Sequence, residues 1–272
     1  YPRYRKDGEA IVLTTSQLQT SLNLRQAAGS PELIAEGGAQ RLARFLPADG
    51  SVIFLLESGG EYTLWRWQRG RKELLQVMEK PVESLIVAAD NHSLVSHSGE
   101  AIWQLPLGEP LPTQQSQAIW RKAGVVELLY YAPATEEILF VRRSGETRNI
   151  WWRNLRRGEE RQITFGSVGT ALATAERLYF QYRDQPGLWQ LEWAQPNPVQ
   201  ISTRLPKNSK LLHLADSTAF FVSGGPCRES NLQALDLQAD TLSPVVDQVL
   251  GVTSHDFHPT FGLLQMECRP AN

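Results

Sequence analysis

The chain has 272 residues, 42% of them hydrophobic and 21% charged, proportions that let an ordinary globular core form and exclude extended disorder. A formal net charge of −2 projects no long-range field of either sign, which excludes nucleic acid or an anionic membrane surface as the main direct partner. No run of 18 or more apolar residues occurs and no signal peptide is visible, so contact with a membrane is expected only through an anchor upstream of Tyr1. The opening on Tyr1 rather than Met suggests that an N-terminal part has been removed.

In chain order, the first regular feature is a short apolar strand that recurs with a long period. It reads Leu22-Asn23-Leu24, then Leu64-Trp65-Arg66-Trp67, Ile102-Trp103-Gln104-Leu105, Ile150-Trp151-Trp152-Arg153, Leu188-Trp189-Gln190-Leu191 and Leu232-Gln233-Ala234-Leu235. The second residues, 23, 65, 103, 151, 189 and 233, lie 42, 38, 48, 38 and 44 apart, and a period near 40 to 45 residues is that of a propeller or an array. Each copy is preceded by a β-branched and aromatic strand: Ala10 to Thr15, Ser51 to Glu57, Ser93 to His97, Glu137 to Arg142, Arg177 to Tyr182 and Thr218 to Val222. Between the two strands stand hairpin signals such as Ser58-Gly59-Gly60, Ser98-Gly99, Ser144-Gly145 and Gly224-Gly225-Pro226.

A polar turn and a further strand follow, clearest at Gly158 to Phe165, and a short apolar segment such as Leu85 to Ala88 leads into the next copy. Four antiparallel strands per repeat, six repeats and no amphipathic helix predict an all-β, six-bladed β-propeller over 1–272. The repeats fall approximately at 1–41, 42–84, 85–124, 125–170, 171–210 and 211–248. Because the chain starts with the second strand of a repeat, segment 249–256 is expected to supply the missing innermost strand and close the ring with strands from both termini. Segment 261–268 is then one strand too many, read as an addition at the edge of the closing blade.

Little in the sequence suggests chemistry. No G-x-S-x-G elbow or phosphate-cradling glycine motif occurs. His255-Asp256-Phe257-His258 offers two imidazoles without a third ligand and reads as a polar turn, and Glu136-Glu137 and Glu159-Glu160 are adjacent carboxylates that point to opposite faces or into water. The expectation is a protein that is not an enzyme and needs no cofactor or metal. Cys227 and Cys268 form either one disulfide in an oxidising compartment or two buried thiols. Arginines crowd between Arg142 and Arg161, which marks either a solvated strand edge with its loops or an anion-binding face.

The segment Asn149 to Leu155 followed by Glu160-Arg161-Gln162-Ile163-Thr164-Phe165-Gly166 resembles the repeat of TolB-like propellers, echoed at Leu188 to Thr203 and at Phe45 to Ile53 with its proline, aspartate and glycine turn. Other copies depart from it: Ala132-Pro133-Ala134-Thr135 lacks the glycine and Ala215-Asp216-Ser217 the proline. The resemblance implies a periplasmic binding domain. Three contexts fit: the sensory domain of a membrane-anchored winged-helix transcriptional regulator similar to CadC and ToxR, a free-standing TolB-like interaction scaffold, or the propeller cap of a serine peptidase.

In such a fold the ligand, a peptide, protein or small molecule, is expected at the channel mouth, where the loops joining second and third strands gather. Those loops carry Glu57, Glu61 and Glu100 on the early blades and Arg143, Arg148, Arg183, Asp184 and Arg228 on the later ones, a mouth lopsided in charge.

Overall fold

A computed structural model describes residues 3–4, 11–12, 19–25, 31–107, 116–193, 197–223 and 228–269; of residues 3–4, 11–12, 19, 228–230, 246–255 and 267–269 it describes the backbone alone. The described chain forms antiparallel sheets arranged as six four-stranded blades. The first blade comprises Ala39–Phe45, Val52–Ser58, Glu61–Gln68 and Arg71–Met78; the second Ser84–Val87, Ser93–Ser98, Ala101–Pro106 and Gln117–Arg121. The third holds Val125–Ala132, Glu137–Ser144, Thr147–Asn154 and Glu160–Gln162, and the fourth Val168–Ala173, Arg177–Tyr182, Leu188–Glu192 and Val199–Ser202. In each the innermost strand comes first in sequence, and two-residue turns such as Gly59-Gly60, both at positive φ, match the twist of the strands they join.

The last two blades share one strand. Thr241–His258 begins as the outer strand of the fifth blade, after Lys210–Ala215, Thr218–Ser223 and Arg228–Asp236, and ends as the inner strand of the sixth. The sixth blade continues with Gly262–Arg269 from the C-terminal side and is completed by Gln19–Arg25 and Glu32–Glu36 from the N-terminal side. The ring thus closes through two strands from each end of the chain.

This arrangement corrects two expectations. Gly262–Arg269 is no edge addition but the second strand of the closing blade, hydrogen-bonded to a strand on each side, with Leu263 and Leu264 buried. The segment predicted to hold that place, Ala10 to Thr15, contributes Ile11–Val12 to a separate two-stranded sheet with Arg3–Tyr4, and its last residues lie outside the described ones.

Each seam between blades holds its own hydrophobic cluster, and strand periodicity explains how one sheet serves two seams. In the third blade Ile138 and Phe140 pack toward the second blade, while Leu139 and Val141 pack toward the fourth. Trp65, Trp151, Trp152 and Trp189 are partly buried against these clusters, so the repeating tryptophans fill the space between blades. Among the described residues, no helix is long and apolar enough to cross a membrane.

Candidate functional site

The inner strands carry an irregularity that aims side chains at the axis. Where each pairs with its second strand, the register shifts between Arg41 and Arg44, Val125 and Glu127, Val168 and Thr170, Leu211 and His213, and Ser254 and Asp256; the second blade pairs without a shift. A bulge re-aims the neighbouring side chain and leaves a backbone group for another partner. Three alternate seams use this freedom: Ser84 Oγ accepts the Leu128 amide at 2.9 Å, Thr170 Oγ1 accepts that of Leu211 at 3.1 Å, and Asp256 Oδ2 accepts that of Phe45 at 2.9 Å.

Charges from four inner strands meet in the channel. Glu127 accepts a hydrogen bond from Arg148 Nη2 at 2.9 Å, and Arg44 and Lys210 act on both Glu127 and Asp256. Lys210 is exposed to water yet enclosed by protein, as is a Glu127 side chain 38% accessible, which describes groups projecting into a narrow, water-reached channel.

Enclosure sets the electrostatics. Burial raises the Glu127 carboxyl against the opposing pull of Arg148, Arg44 and Lys210. Burial likewise raises Asp256, opposed by Arg44, the Phe45 and Phe257 amides and Lys210. The Lys210 ammonium is pushed down to about 8, by burial first and by Arg44 second, with Asp256 and Glu127 restoring part of the shift. Among the described residues, Arg44, Arg148 and Lys210 are the cations and Glu127 and Asp256 the carboxylates that act on one another here.

Three of the hairpins expected at the channel mouth are tied to blade crossovers by backbone hydrogen bonds: Lys122 N to Glu100 O at 2.7 Å, Arg143 N to Gly124 O at 2.8 Å and Arg183 N to Ser167 O at 2.8 Å. Glu61, Glu100, Arg143, Arg183 and Asp184 stand exposed on the hairpins expected at the mouth. Glu57 is half-buried and pairs with Arg41 of the adjacent inner strand at 3.1 Å, and Arg148 is the predicted residue that reaches the channel charges. The crossover into the fourth blade also presents Phe165, 84% exposed, at this end. Cys227 and the side chains of Arg228, His255 and Cys268 lie outside the described residues.

Sequence reasoning missed Arg44, Glu127, Lys210 and Asp256. For Arg44 and Glu127 a signal was present: each is a charge between apolar neighbours, Ala43-Arg44-Phe45 and Val126-Glu127-Leu128, where burial demands a partner or a water-filled space, whereas Lys210 follows Ser209 and Asp256 follows His255 and neither stands out in this way.

No protein-family model matches this chain, and no curated protein matches it. Its fold is similar to that of a protein assigned as TolB from Agrobacterium tumefaciens, with a TM-score of 0.70 and 14% identity over 93% of this chain and 99% of that one. TolB from Acinetobacter baumannii superposes with a TM-score of 0.60 at 10% identity, over 94% of this chain and 65% of that one. A chain of a nidogen/laminin complex gives 0.58 at 11% identity, over 90% and 96%. These likenesses show a TolB-like six-bladed propeller fold.

Proposed function

We propose that this propeller is a non-catalytic binding domain that receives a carboxylate-bearing segment of a peptide or protein at the mouth of its central channel. The observation that carries this reading is the channel's charge: among the described residues Arg44, Arg148 and Lys210 act on Glu127 and Asp256, and Arg148, Glu127 and Lys210 lie toward the end where Arg143, Arg183 and Phe165 stand exposed. Guanidinium groups pair with carboxylates in a planar, two-bonded geometry, and partial enclosure strengthens such contacts relative to open water.

The biological setting we favour is a periplasmic sensory domain of a membrane-anchored winged-helix regulator, on the strength of the sequence resemblance. A free-standing TolB-like scaffold is the alternative setting for the same binding chemistry. The two differ in what the gene encodes before Tyr1: a winged-helix domain and one transmembrane helix for the regulator, a cleavable signal peptide for the scaffold.

Binding is tested by thermal unfolding in the presence of peptides offered with a free or an amidated C-terminus, since a ligand of the folded state alone raises the melting temperature. The expected result is an upward shift with free-acid peptides that is lost in an Arg148→Gln, Lys210→Gln double variant. Equal shifts with amidated peptides, or none with any, would remove the channel as a carboxylate site.

A further inference from the structure

Arg142 and Arg153, two of the crowded arginines of the third blade, are not used by the channel, and on the outer part of the seam with the second blade they build a separate constellation. Phe140 and Arg142 of one strand, Trp151 and Arg153 of the next and Glu160 of the outermost share one face by register: Phe140 pairs Trp151, and Arg153 pairs Glu160. That face meets Trp120 of the second blade, whose ring centroid lies 5.1 Å from that of Phe140.

Glu160 sits at the centre. It is approached by Lys122 Nζ at 3.1 Å, Arg142 Nη1 at 3.6 Å and Arg153 Nη1 at 3.1 Å. Among the described ion pairs closer than 4 Å, Glu160 is the carboxylate reached by three cations. Three positive charges around one negative leave an excess of two. Stability does not account for the third cation, because an exposed ion pair contributes about 0–1 kcal/mol and like charges this close repel.

Both guanidinium groups are also fixed in orientation. Arg142 lies 5.1 Å from the Trp151 ring centroid and Arg153 lies 4.8 Å from that of Trp120. An indole behind each guanidinium occupies a π face and leaves the in-plane N–H donors available. Arg153 Nε is buried with no hydrogen-bond partner, a donor without an acceptor in the protein. The cations remain reachable, with side chains 22–32% exposed above a Glu160 that is 15% exposed.

We infer that Lys122, Arg142 and Arg153, held against Trp120 and Trp151, form a binding site for a dianionic oxyanion of the phosphate monoester class. Such a group carries a charge of about −1.5 to −2 near neutral pH and offers three acceptor oxygens, which match the excess charge and the guanidinium forks. Glu160 acts there as the internal counter-ion that organises the cations and competes with the ligand.

The test is isothermal titration at fixed ionic strength with three probes: inorganic phosphate, glucose 6-phosphate, and vesicles of phosphatidylcholine containing phosphatidic acid. Saturable binding of the first two identifies a soluble phosphate ligand, and binding confined to the vesicles identifies a lipid headgroup; either supports the site. Arg142→Gln with Arg153→Gln is expected to weaken binding at least tenfold, while Glu160→Gln strengthens it severalfold, the opposite of what loss of a purely structural ion pair would do. The Arg148→Gln, Lys210→Gln channel variant should bind the probe as the parent does, which separates this site from the proposed peptide site. Absence of saturable binding for all three probes, or binding indifferent to the Arg142 and Arg153 substitutions, overturns the inference. Should Glu160→Gln unfold, Arg142→Gln alone carries the comparison.

Discussion

At the seam that closes the ring, the first blade is held by Asp256, which accepts the Phe45 amide, and by Phe261, which stacks on His258 at 4.3 Å and lies against Gly50. On the other face of the closing blade, His213 of the fifth blade adds a second imidazole 5.1 Å from that of His258, among Phe220 and Phe257. At the seam between the second and third blades, partly exposed guanidinium groups lie over Trp120 and Trp151 around Glu160. Both seams join neighbouring sheets over apolar clusters of similar make-up, yet they respond to different variables. Enclosed imidazoles couple the closing seam to protons, whereas partly solvated ion pairs couple the other to salt.

The largest effect is expected from Leu264→Ala, which empties a fully buried position of the closing blade and should cost about 3–4 kcal/mol by chemical denaturation. A loss below about 1 kcal/mol would mean that closure of the ring contributes little to stability.

Acid comes next. Burial, reinforced by His258, holds His213 at about 4 in the folded protein, and burial also lowers His258 against the opposing pull of Asp256. The unfolded chain, with histidines near 6.5, therefore takes up protons first, so their contribution is intact above pH 6.5, declines below it and is lost near pH 4. His213→Phe should flatten that decline by on the order of 2–3 kcal/mol between melting curves at pH 7 and pH 4. Parallel curves for variant and parent would show that the decline belongs to other groups.

Gly50→Ala is expected to cost about 1–3 kcal/mol, because the residue sits at φ +70° and an added Cβ would lie 2.7 Å from the Phe261 ring. Combined with Phe261→Ala, it should cost less than the two single changes together, since the clash disappears and the backbone strain remains. Strict additivity would place the whole effect in the backbone.

The smallest effect belongs to the other seam. Lys122→Ala removes one of the three cations around Glu160 and should change stability by no more than about 0.5 kcal/mol, with the difference vanishing in high salt. A salt-independent loss above about 1 kcal/mol would make this ion pair as structural as the closing-seam contacts.

The repeat was readable because its signals are local. A tryptophan strand, a hairpin turn and alternating apolar residues lie within a few positions of one another, as in Phe54, Gly59-Gly60 and Trp65. The closing blade was read with its second strand misplaced because Gly262–Arg269 and Gln19–Arg25 meet across nearly the whole chain, and no turn between them announces the pairing. The hairpin charges expected at the mouth were legible for the same local reason, while Arg44, Glu127, Lys210 and Asp256 were not: an inner strand has two faces, and bulges decide which residues turn to the axis.

By itself, then, the amino-acid sequence determined an all-β repeat of six blades and the loops that would share one end, since periodicity and turn chemistry act over a few residues. Tertiary structure alone decided which strands close the ring, which charges meet in the channel and which arginines converge on Glu160. Those outcomes depend on register and on contacts between residues far apart in the chain, where a shift of one position sends a side chain to the opposite face of its sheet.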